Sequence, residues 1–450
     1  MRAQSPSVEQ PGHGEASPVF RPGGARAWIV FLAAAFIYVL AVAARTSFAV
    51  AVPQAGDRFP GGSGVLAFFV VLQLAVYATA QVPVGLLLDR YGARRVLISG
   101  AVIVALGQAL LALADTVGLA VAARVLVGAG DATAFIGTLR LIPAWFPLGR
   151  VPLMSQMVSV FGQVGQVISA VPFLLVLHAR GWAPAFLALS GLGLGIALVA
   201  LAVLRDAPAG GSFAVGTPDR MQEGHPATTS ARQRESVGRT IAVLLSRPGT
   251  WLGFFTHWVG MMPAAVLTLM WGLSWMTQGL GVSATTASAA LSASTLAGVL
   301  GSLVAGVLSG RLPRRRSASA VGAMVLALLA WTAGLLLPWP TTAALAACTM
   351  LGFTGPFSGI GFDTARSFNE PSRWGTCTGL VNMGGFLSTI LAVQVVGLVL
   401  DHLGGERSTS DFRTAFACAA LVWLTGLVGL LVSWAVTRRQ VRQGRATASF

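Results

Sequence analysis

Twelve apolar stretches separated by short polar segments run along this chain. A helix of about 20 apolar residues crosses the hydrocarbon core of a bilayer, and each stretch is close to that length. The pattern predicts helices at Trp28–Val52, Val65–Leu88, Val96–Ala114, Leu119–Trp145, Leu153–Leu177, Ala183–Leu204, Trp251–Met276, Thr286–Leu308, Ala320–Leu337, Thr342–Phe362, Gly379–Leu400 and Phe416–Val436. The fold class predicted is therefore an all-α membrane protein with 12 transmembrane helices and both termini on one side.

Composition supports the membrane assignment and identifies the inner side. Of the 450 residues, 55% are hydrophobic and 10% are charged, a balance that excludes a soluble globular domain of this size. The net charge of +15 comes from arginines, which lie mostly in the loops that are cytosolic when the N-terminus is inside. This is the distribution that orients membrane helices, so we expect an inner-membrane protein with cytosolic termini and no nucleic-acid partner.

One long polar segment divides the chain into two groups of six helices. The predicted organisation is a polar N-terminus (1–26), a six-helix bundle (27–204), a cytosolic linker (205–250), a second six-helix bundle (251–436) and a basic tail (437–450). A short surface helix is expected near the end of the linker. The three cysteines lack metal-ligand spacing, so neither a metal site nor a disulfide is expected.

A short hairpin between the second and third apolar stretches carries a distinctive pattern. Its key residues are Gly85, Asp89, Arg90, Gly92, Arg94 and Arg95. A related segment occurs 221 residues later, with Gly306, Gly310, Arg311, Pro313, Arg315 and Arg316. A repeat at this distance indicates two homologous halves.

The hairpin closely resembles the signature loop between helices 2 and 3 of the major facilitator superfamily of secondary transporters. The resemblance implies two pseudo-symmetric six-helix bundles that rock about a central site. The residues of the hairpin would then act in gating, through cytosolic contacts that favour one state. Asp363 and Arg366, three residues apart at the inner end of the tenth helix, are interpreted as a second gate element or a helix-end salt bridge.

Three charged residues lie well inside the apolar stretches of the first half. Arg45 precedes Pro53 by eight residues, or about 12 Å of helix, which is too deep for its side chain to reach the outer surface easily. A cation there suits an anionic substrate, and the alternative is an internal ion pair with Asp131. Asp131 is the only acid in the interior of the first six helices, which makes it the candidate proton carrier. Arg124 shares its helix face, with Gly128 between them allowing a close neighbour.

A narrower resemblance rests on these residues. Arg45 with the following Thr-Ser-Phe-Ala-Val-Ala-Val-Pro, the pattern Arg124-x-x-x-Gly-x-x-Asp131, and the segment from Ala144 to Arg150 are similar to the anion:cation symporter family. That family includes proton-coupled organic-acid carriers. The resemblance implies that Arg45 engages the substrate anion and that Asp131, with Arg124, takes part in proton coupling. His257 is the only ionisable candidate in the seventh helix, where organophosphate antiporters usually carry a second arginine.

Further substrate-binding candidates are polar or aromatic residues within apolar helices. Gln163 and Gln166 belong to a polar stripe on the fifth helix that could line the substrate path or bond to another helix. Trp271 could line the cavity or anchor the outer interface. Asn382 lies in a glycine-rich part of the eleventh helix and could contact substrate.

The function predicted is a secondary active transporter that moves a small carboxylate-type organic anion by alternating access with proton symport. No enzyme activity and no cofactor are expected, and the chain has no phosphate-binding loop with a lysine. Its expected partners are the substrate and the lipid bilayer, with the protein as a monomer. The alternatives are a proton-coupled exporter of drugs or metabolites and a transporter-like receptor.

Overall fold

The computed structural model describes residues 23–59, 62–208, 236–337, 340–404 and 407–444. Twelve helices in this part of the chain are long and apolar enough to cross a membrane, which agrees with the number predicted. In chain order, spans 1 to 12 are Ala25–Val50, Phe68–Tyr91, Ala93–Leu113, Val117–Trp145, Leu148–Arg180, Trp182–Val203, Pro248–Gly279, Ala284–Arg311, Arg316–Leu336, Thr341–Ser367, Pro371–Leu403 and Thr409–Arg442. The chain is a multi-pass, all-α membrane protein.

Spans 11 and 12 begin before their apolar stretches because polar groups bond to their first backbone amides. The α-helix of span 11 begins at Trp374, five residues before the predicted start, and the Asp89 side chain accepts hydrogen bonds from the Gly375 and Thr376 amides. The helix of span 12 begins at Thr409 with a capping box formed by Ser408 and Asp411. Hydropathy alone detects neither cap.

Spans 1 to 6 pack mainly against one another, and spans 7 to 12 do the same. We call these groups the N half and the C half. Each half has its own apolar core, around Phe31 and Trp145 in the first and around Trp275 and Phe416 in the second. The first of these cores also includes Phe362, Ala365, Cys377 and Val381 of the C half, so the two halves pack closely against each other.

The interface between the halves, which we call the seam, is formed chiefly by span 2 against span 11 and span 5 against span 8. Glycines bring the backbones close there. A Cβ on Gly85 would lie 2.6 Å from the Thr376 Cα, and one on Gly310 would lie 2.6 Å from the Gly149 carbonyl oxygen. Both contacts lie near the end of the molecule that carries the Asp89–Arg95 hairpin, which we call the hairpin end. The seam is closed at this end.

Spans 5, 7 and 10 contain irregular turns, and that of span 5 is a π-helical segment at Ser169–Phe173. Span 7 includes π-helical segments at Leu267–Trp271 and Trp275–Gly279, and span 10 is interrupted by a 3-10 segment at Gly355–Gly359. Pro356 lies in that segment and has no amide hydrogen to donate, so a regular α-helical ladder cannot continue through it. Carbonyl groups freed by the interruption are available to side chains of neighbouring spans.

Two shorter helices complete the described structure. Val52–Arg58 follows span 1, and Val237–Ser246 precedes span 7 with Ser236 as its N-cap. The second of these matches the surface helix expected near the end of the linker, and its Leu244 is buried against the N-half core. Most of the predicted N-terminus and linker, and the last six residues of the predicted basic tail, lie outside the described residues.

Candidate functional site

Arg45 of span 1 and Asp131 of span 4 form an ion pair in the middle of the N half. The Arg45 Nη1 lies 3.3 Å from the Asp131 Oδ2, and the exposed fractions of the two side chains are 16% and 0%. Neither carboxylate oxygen has a hydrogen-bond partner among the described residues. The carboxylate is therefore held by charge alone, so a change in the charge of either group would release the other.

Arg124 is buried beside this pair and is only 1% exposed. Its Nη2 donates to the Arg45 carbonyl oxygen at 3.3 Å, and its guanidinium lies 4.9 Å from the Phe48 ring centroid. The Gln108 side chain of span 3 donates to the carbonyl oxygen of Ala44, the residue before Arg45, at 2.9 Å. Spans 3 and 4 thus bind the backbone of span 1 next to Arg45 and fix its position.

Gly128 lies between Arg124 and Asp131, and its closeness to a neighbouring helix is confirmed. A Cβ there would lie 2.8 Å from the Gln73 carbonyl oxygen of span 2. In this tightly packed region, the charges of both Arg45 and Arg124 act on the single carboxylate of Asp131. The resulting excess of positive charge in a low-dielectric environment attracts an anion more strongly than the same charge would in water.

Tyr77 of span 2 connects Arg45 to the C half. The Arg45 guanidinium lies 5.2 Å from the centroid of the Tyr77 ring. On the other side, the Asn382 Nδ2 of span 11 donates to the Tyr77 hydroxyl at 3.2 Å and to the Gln81 Oε1 at 2.8 Å. The structure thus brings the predicted Asn382 within two contacts of Arg45.

Sequence reasoning missed Tyr77 and Gln81, although a signal for them exists. Gln73, Tyr77 and Gln81 follow one another at intervals of four in an otherwise apolar span. Residues four apart lie on the same face of a helix, so this is a polar stripe. Tyr77 and Gln81 face the seam, whereas Gln73 lies against Gly128 of span 4. The corresponding stripe on span 5 was recognised.

A row of rings crosses the seam beneath Arg45. We call Tyr38, Phe135, Phe362 and His257 the aromatic row. Consecutive ring centroids are 5.4, 5.6 and 4.7 Å apart. Tyr38 and Phe135 belong to spans 1 and 4, and Phe362 and His257 to spans 10 and 7. The row therefore joins the region of Arg45 to the middle of the C half.

Span 5 carries the polar stripe that includes Gln163 and Gln166. Gln156, two turns before Gln163, donates from its Nε2 to the Pro356 carbonyl oxygen in the interrupted part of span 10, at 3.0 Å. Gln163 is half-buried and Gln166 is exposed. At Gln156, the stripe faces the seam and acts by hydrogen bonding between the halves.

Trp271 lies in a different region from Arg45. Its Nε1 donates to the Val393 carbonyl oxygen at 3.0 Å, and its ring lies next to Gly397 of span 11. Fourteen residues separate it from His257 along span 7. Within the described structure, Trp271 ties span 7 to span 11 inside the C half.

At the hairpin end, Asp89 bonds across the seam to span 11. In addition to the Gly375 and Thr376 amides, it accepts a hydrogen bond from the Thr376 hydroxyl at 2.7 Å, and the Arg140 Nε lies 3.6 Å away. The helix dipole places partial positive charge at the start of span 11, so a carboxylate is favoured there. Asp89 and Gly85 thus close the seam from the N half.

The rest of the hairpin is held within the N half. Gly92 has φ +83, a left-handed conformation that favours glycine, and the Asp206 side chain occupies the space beside it. Asp206 also accepts a hydrogen bond from the Arg94 amide at 2.8 Å. Arg90 lies over the Tyr91 ring, and Arg95 is exposed. Asp206 is a further residue that the sequence did not suggest.

Asp363 and Arg366 lie together in the buried part of the C half near the hairpin end. Their closest charged atoms are 3.9 Å apart. The Ser309 hydroxyl of span 8 donates to Asp363 at 2.8 Å, and the Arg366 Nε donates to the Thr378 hydroxyl of span 11 at 3.4 Å. The pair therefore links spans 8, 10 and 11 at this end of the C half.

Comparisons with known proteins agree with this architecture. The profile of the Major Facilitator Superfamily matches residues 34–272 and 253–449. A probable sulfoacetate transporter of Cupriavidus necator is 24% identical over 376 residues, 82% of this chain and 86% of that protein. A probable galactarate/D-glucarate transporter of Escherichia coli is 24% identical over 378 residues, with 78% and 82% covered.

Among solved structures, the fucose:proton symporter of E. coli superposes with a TM-score of 0.62 at 15% identity, covering 90% of this chain and 99% of that one. At this identity the similarity concerns the fold. Together with the profile match over both halves, it shows that the chain belongs to the Major Facilitator Superfamily and is a membrane transporter rather than an enzyme.

Proposed function

We propose that the chain carries a small organic anion across the inner membrane by alternating access, with proton symport. The observation that carries this proposal is the ion pair between Arg45 and Asp131, with Arg124 beside it. An arginine buried near the seam is suited to a carboxylate, which it can bind through two parallel hydrogen bonds. The relatives named for sulfoacetate and for galactarate or glucarate support an organic acid as the substrate.

Proton coupling follows from competition for Arg45. While Asp131 is ionised, its carboxylate neutralises the guanidinium that lies 3.3 Å away. A proton on Asp131 removes that charge, and Arg45 becomes available to an anion. Because a buried guanidinium without a counter-ion is costly, the protonated carrier favours bound substrate. Proton and anion then cross together.

Alternating access requires the two halves to separate at one end while they close at the other. The seam is closed at the hairpin end by Asp89 and by glycine contacts. The arginines of the hairpin support a cytosolic location for this end, by the positive-inside rule. We therefore assign the conformation as closed towards the cytosol, and release of substrate there requires these contacts to break.

The experiment that tests this function is uptake of labelled anions by the purified full chain in proteoliposomes. The panel contains sugar acids, aromatic acids, dicarboxylates and organophosphates, with cationic drugs for comparison. We expect one class of anion to be taken up faster when the outside is acidic. Arg45→Ala should abolish uptake, whereas Arg26→Ala, an exposed arginine at the other end of the same span, should not.

Asp131→Asn separates coupling from binding. It removes the titratable group and leaves a side chain of nearly the same shape, so exchange of anion for anion should continue while acceleration by a pH gradient disappears. Uptake that a pH gradient still drives in Asp131→Asn would contradict the proton role. Transport of the drugs, with no anion uptake, would replace the proposal by an exporter. Binding without turnover would favour a receptor.

A further inference from the structure

Three arginines line a groove at the end of span 12, which we call the basic groove. It has a volume of about 440 Å³ and is lined by Trp434, Ala435, Arg438, Arg439, Arg442 and Gln443. Trp434, Arg438 and Arg442 follow one another at intervals of four, so they lie on one face of the helix. The Arg438 guanidinium lies 5.8 Å from the centroid of the Trp434 ring. Because span 12 ends at the hairpin end, the groove lies at that end of the C half.

The charge of the basic groove is not balanced by the protein. All three arginines are exposed, and none forms an ion pair with an acidic residue in the described part of the chain. Asp411, the only acidic residue of span 12, lies in its first turn at the opposite end. Asp363 and Glu370, the described acidic residues of the C half at the hairpin end, are paired with other arginines. The groove therefore offers three positive charges to an anion from outside the chain.

A crevice between spans 7, 9 and 12 begins at Trp434, which belongs to both surfaces. We call it the apolar crevice, and its apolar lining includes Leu252, Ala320, Val321, Met324, Leu430 and Leu431. Thr256 and Thr364 also line it, but their hydroxyls donate to carbonyl oxygens of their own helices, at 2.7 and 2.9 Å. Ser317 is the second residue of span 9 and lies at the hairpin end of the crevice. The crevice therefore presents mainly hydrocarbon to the bilayer.

The order of the two surfaces along span 12 matches the order of groups in a phospholipid. Leu430 precedes Arg438 by eight residues, or about 12 Å of helix, so the crevice lies deeper in the bilayer than the arginines. Trp434 lies between them, and tryptophans are enriched at the depth of the lipid headgroups. A soluble anion would use only the groove, and a neutral lipid would leave the arginines without a counter-ion. A lipid with an anionic headgroup fits both surfaces.

We infer that the basic groove and the apolar crevice together bind one anionic glycerophospholipid from the leaflet at the hairpin end. Its phosphate binds Arg438 and Arg442, since a guanidinium can donate two parallel hydrogen bonds to phosphate oxygens. One acyl chain lies along the crevice, against spans 9 and 12. Basic pockets at the cytosolic side of membrane helices recognise such headgroups. The lipid binds to the outside of the C half, so the inference does not depend on the transported substrate.

Lipid binding to the purified full chain is measured by native mass spectrometry in detergent micelles. The probes are dioleoyl phosphatidylglycerol and dioleoyl phosphatidylcholine, which have the same acyl chains and differ in net charge. We expect the first molecule of the anionic lipid to bind about tenfold more tightly, because each arginine near the surface attracts it. Arg438→Gln combined with Arg442→Gln should bring the ratio of the two affinities close to one. The matched control is Arg26→Gln combined with Arg311→Gln, which removes two exposed arginines at the same end and should leave the ratio unchanged.

A photoreactive phosphatidylglycerol tests where the acyl chain lies. It carries a diazirine in the middle of one acyl chain, and its cross-links should map to peptides that contain residues 320–324 and 430–434. Unlabelled phosphatidylglycerol should compete for this site, whereas inorganic phosphate should not. Arg438→Gln combined with Arg442→Gln should reduce the cross-linking about as much as it reduces the affinity.

Four results would overturn the inference. An equal fall of the affinity ratio in both double variants would mean that net charge alone attracts the lipid. A ratio that stays unchanged in Arg438→Gln with Arg442→Gln, or cross-links that map to other faces of the protein, would place the lipid elsewhere. Displacement of the lipid by inorganic phosphate would make the groove a site for a soluble anion. None of these results bears on the uptake of anions, so the proposed function is tested separately.

Discussion

The two halves of this protein repeat one fold but differ in the charge they bury. The N half buries Arg45, Arg124 and Asp131 in its middle. The positions 221 residues later, by the offset of the two hairpins, are Val266, Leu345 and Gly352. The C half thus has apolar or small residues where the N half has its ion pair.

The packing at Gly352, the counterpart of Asp131, shows what occupies the corresponding space in the C half. The backbone at Gly352 lies directly against Ser294 of span 8, so no side chain fits there. The C half keeps its own buried pair, Asp363 and Arg366, near the hairpin end instead. Each charge inside a membrane is costly, so if one anion binds as proposed, a second central ion pair would add cost without adding a binding site. Repetition conserves the architecture, and the chemistry is concentrated in one half.

The largest effect expected on stability is that of Asp131→Ala. The substitution leaves Arg45 and Arg124 buried without their shared counter-ion, which should lower the free energy of unfolding by about 3–5 kcal/mol. The measurement is the unfolding of the purified protein in mixed micelles as the fraction of a denaturing detergent is increased. Asp401→Ala, at an exposed position, is the control and should have little effect.

Asp363→Ala makes the same change in the buried pair of the C half, so its effect on stability can be compared with that of Asp131→Ala. Its partner Arg366 keeps the Thr378 hydroxyl, and the charged atoms of this pair are 3.9 Å apart rather than 3.3 Å, so less attraction is lost. The loss should therefore be smaller than for Asp131→Ala. An equal or larger loss would show that the burial of charge is not concentrated in the N half.

A second prediction concerns the hairpin end, where Asp89 of the N half has Gly310 as its counterpart. Asp89→Ala removes three hydrogen bonds to span 11 and the contact with Arg140, and should open the seam. Cys377, fully buried beside Thr376, is a native reporter of opening. Its rate of maleimide labelling should rise about tenfold or more, since one charge-assisted bond contributes about 1.5–3 kcal/mol.

The control for this labelling is in the same chain. Cys348 is buried within the C half and should remain slow in both proteins, in a background that carries Cys418→Ser. Labelling of Cys377 that stays at the wild-type rate in Asp89→Ala would mean that the glycine contacts alone hold the seam.

The smallest effect is expected for Tyr77→Phe. The substitution keeps the ring beside Arg45 and removes the hydroxyl that accepts from Asn382, a bond of about 1 kcal/mol. Labelling of Cys377 should therefore rise only a few-fold. Tyr91→Phe, an exposed tyrosine on the same span, should change nothing. A rise as large as that of Asp89→Ala would place the main closure of the seam at Tyr77 rather than at the hairpin end.

The features that could be predicted from the sequence are those with local signals. The twelve spans follow from hydropathy, and Arg45 and Asp131 stand out because charge is rare in such segments. Their contact at 3.3 Å was one of two interpretations, since spacing along one helix does not show which face meets another. The early start of span 11 was missed because its cap, Asp89, is far away in the sequence.

Contacts across the seam were the least accessible to sequence reasoning. Tyr77 and Asn382 are 305 residues apart, and their hydrogen bond depends on how two separately folded halves meet. Gln156 bonds to a carbonyl that is available because span 10 is interrupted at Pro356. The sequence around Gln156 or Pro356 does not indicate that these two residues meet. Only the stripe of Gln73, Tyr77 and Gln81 could have indicated that this face of span 2 forms polar contacts with other spans.

The cap that Asp89 provides to span 11 has a consequence for the kinetics of opening. A helix usually completes its first turn with groups of its own chain segment, whereas here the carboxylate belongs to the opposite half. When the halves separate, the Asp89 carboxylate loses the Gly375 and Thr376 amides. Water must then bond to the carboxylate and to both amides. In the proposed alternating-access cycle, opening would thus be a hydration step as well as a movement of the halves. Osmolytes that lower water activity should slow it, even when they touch neither the anion nor the proton.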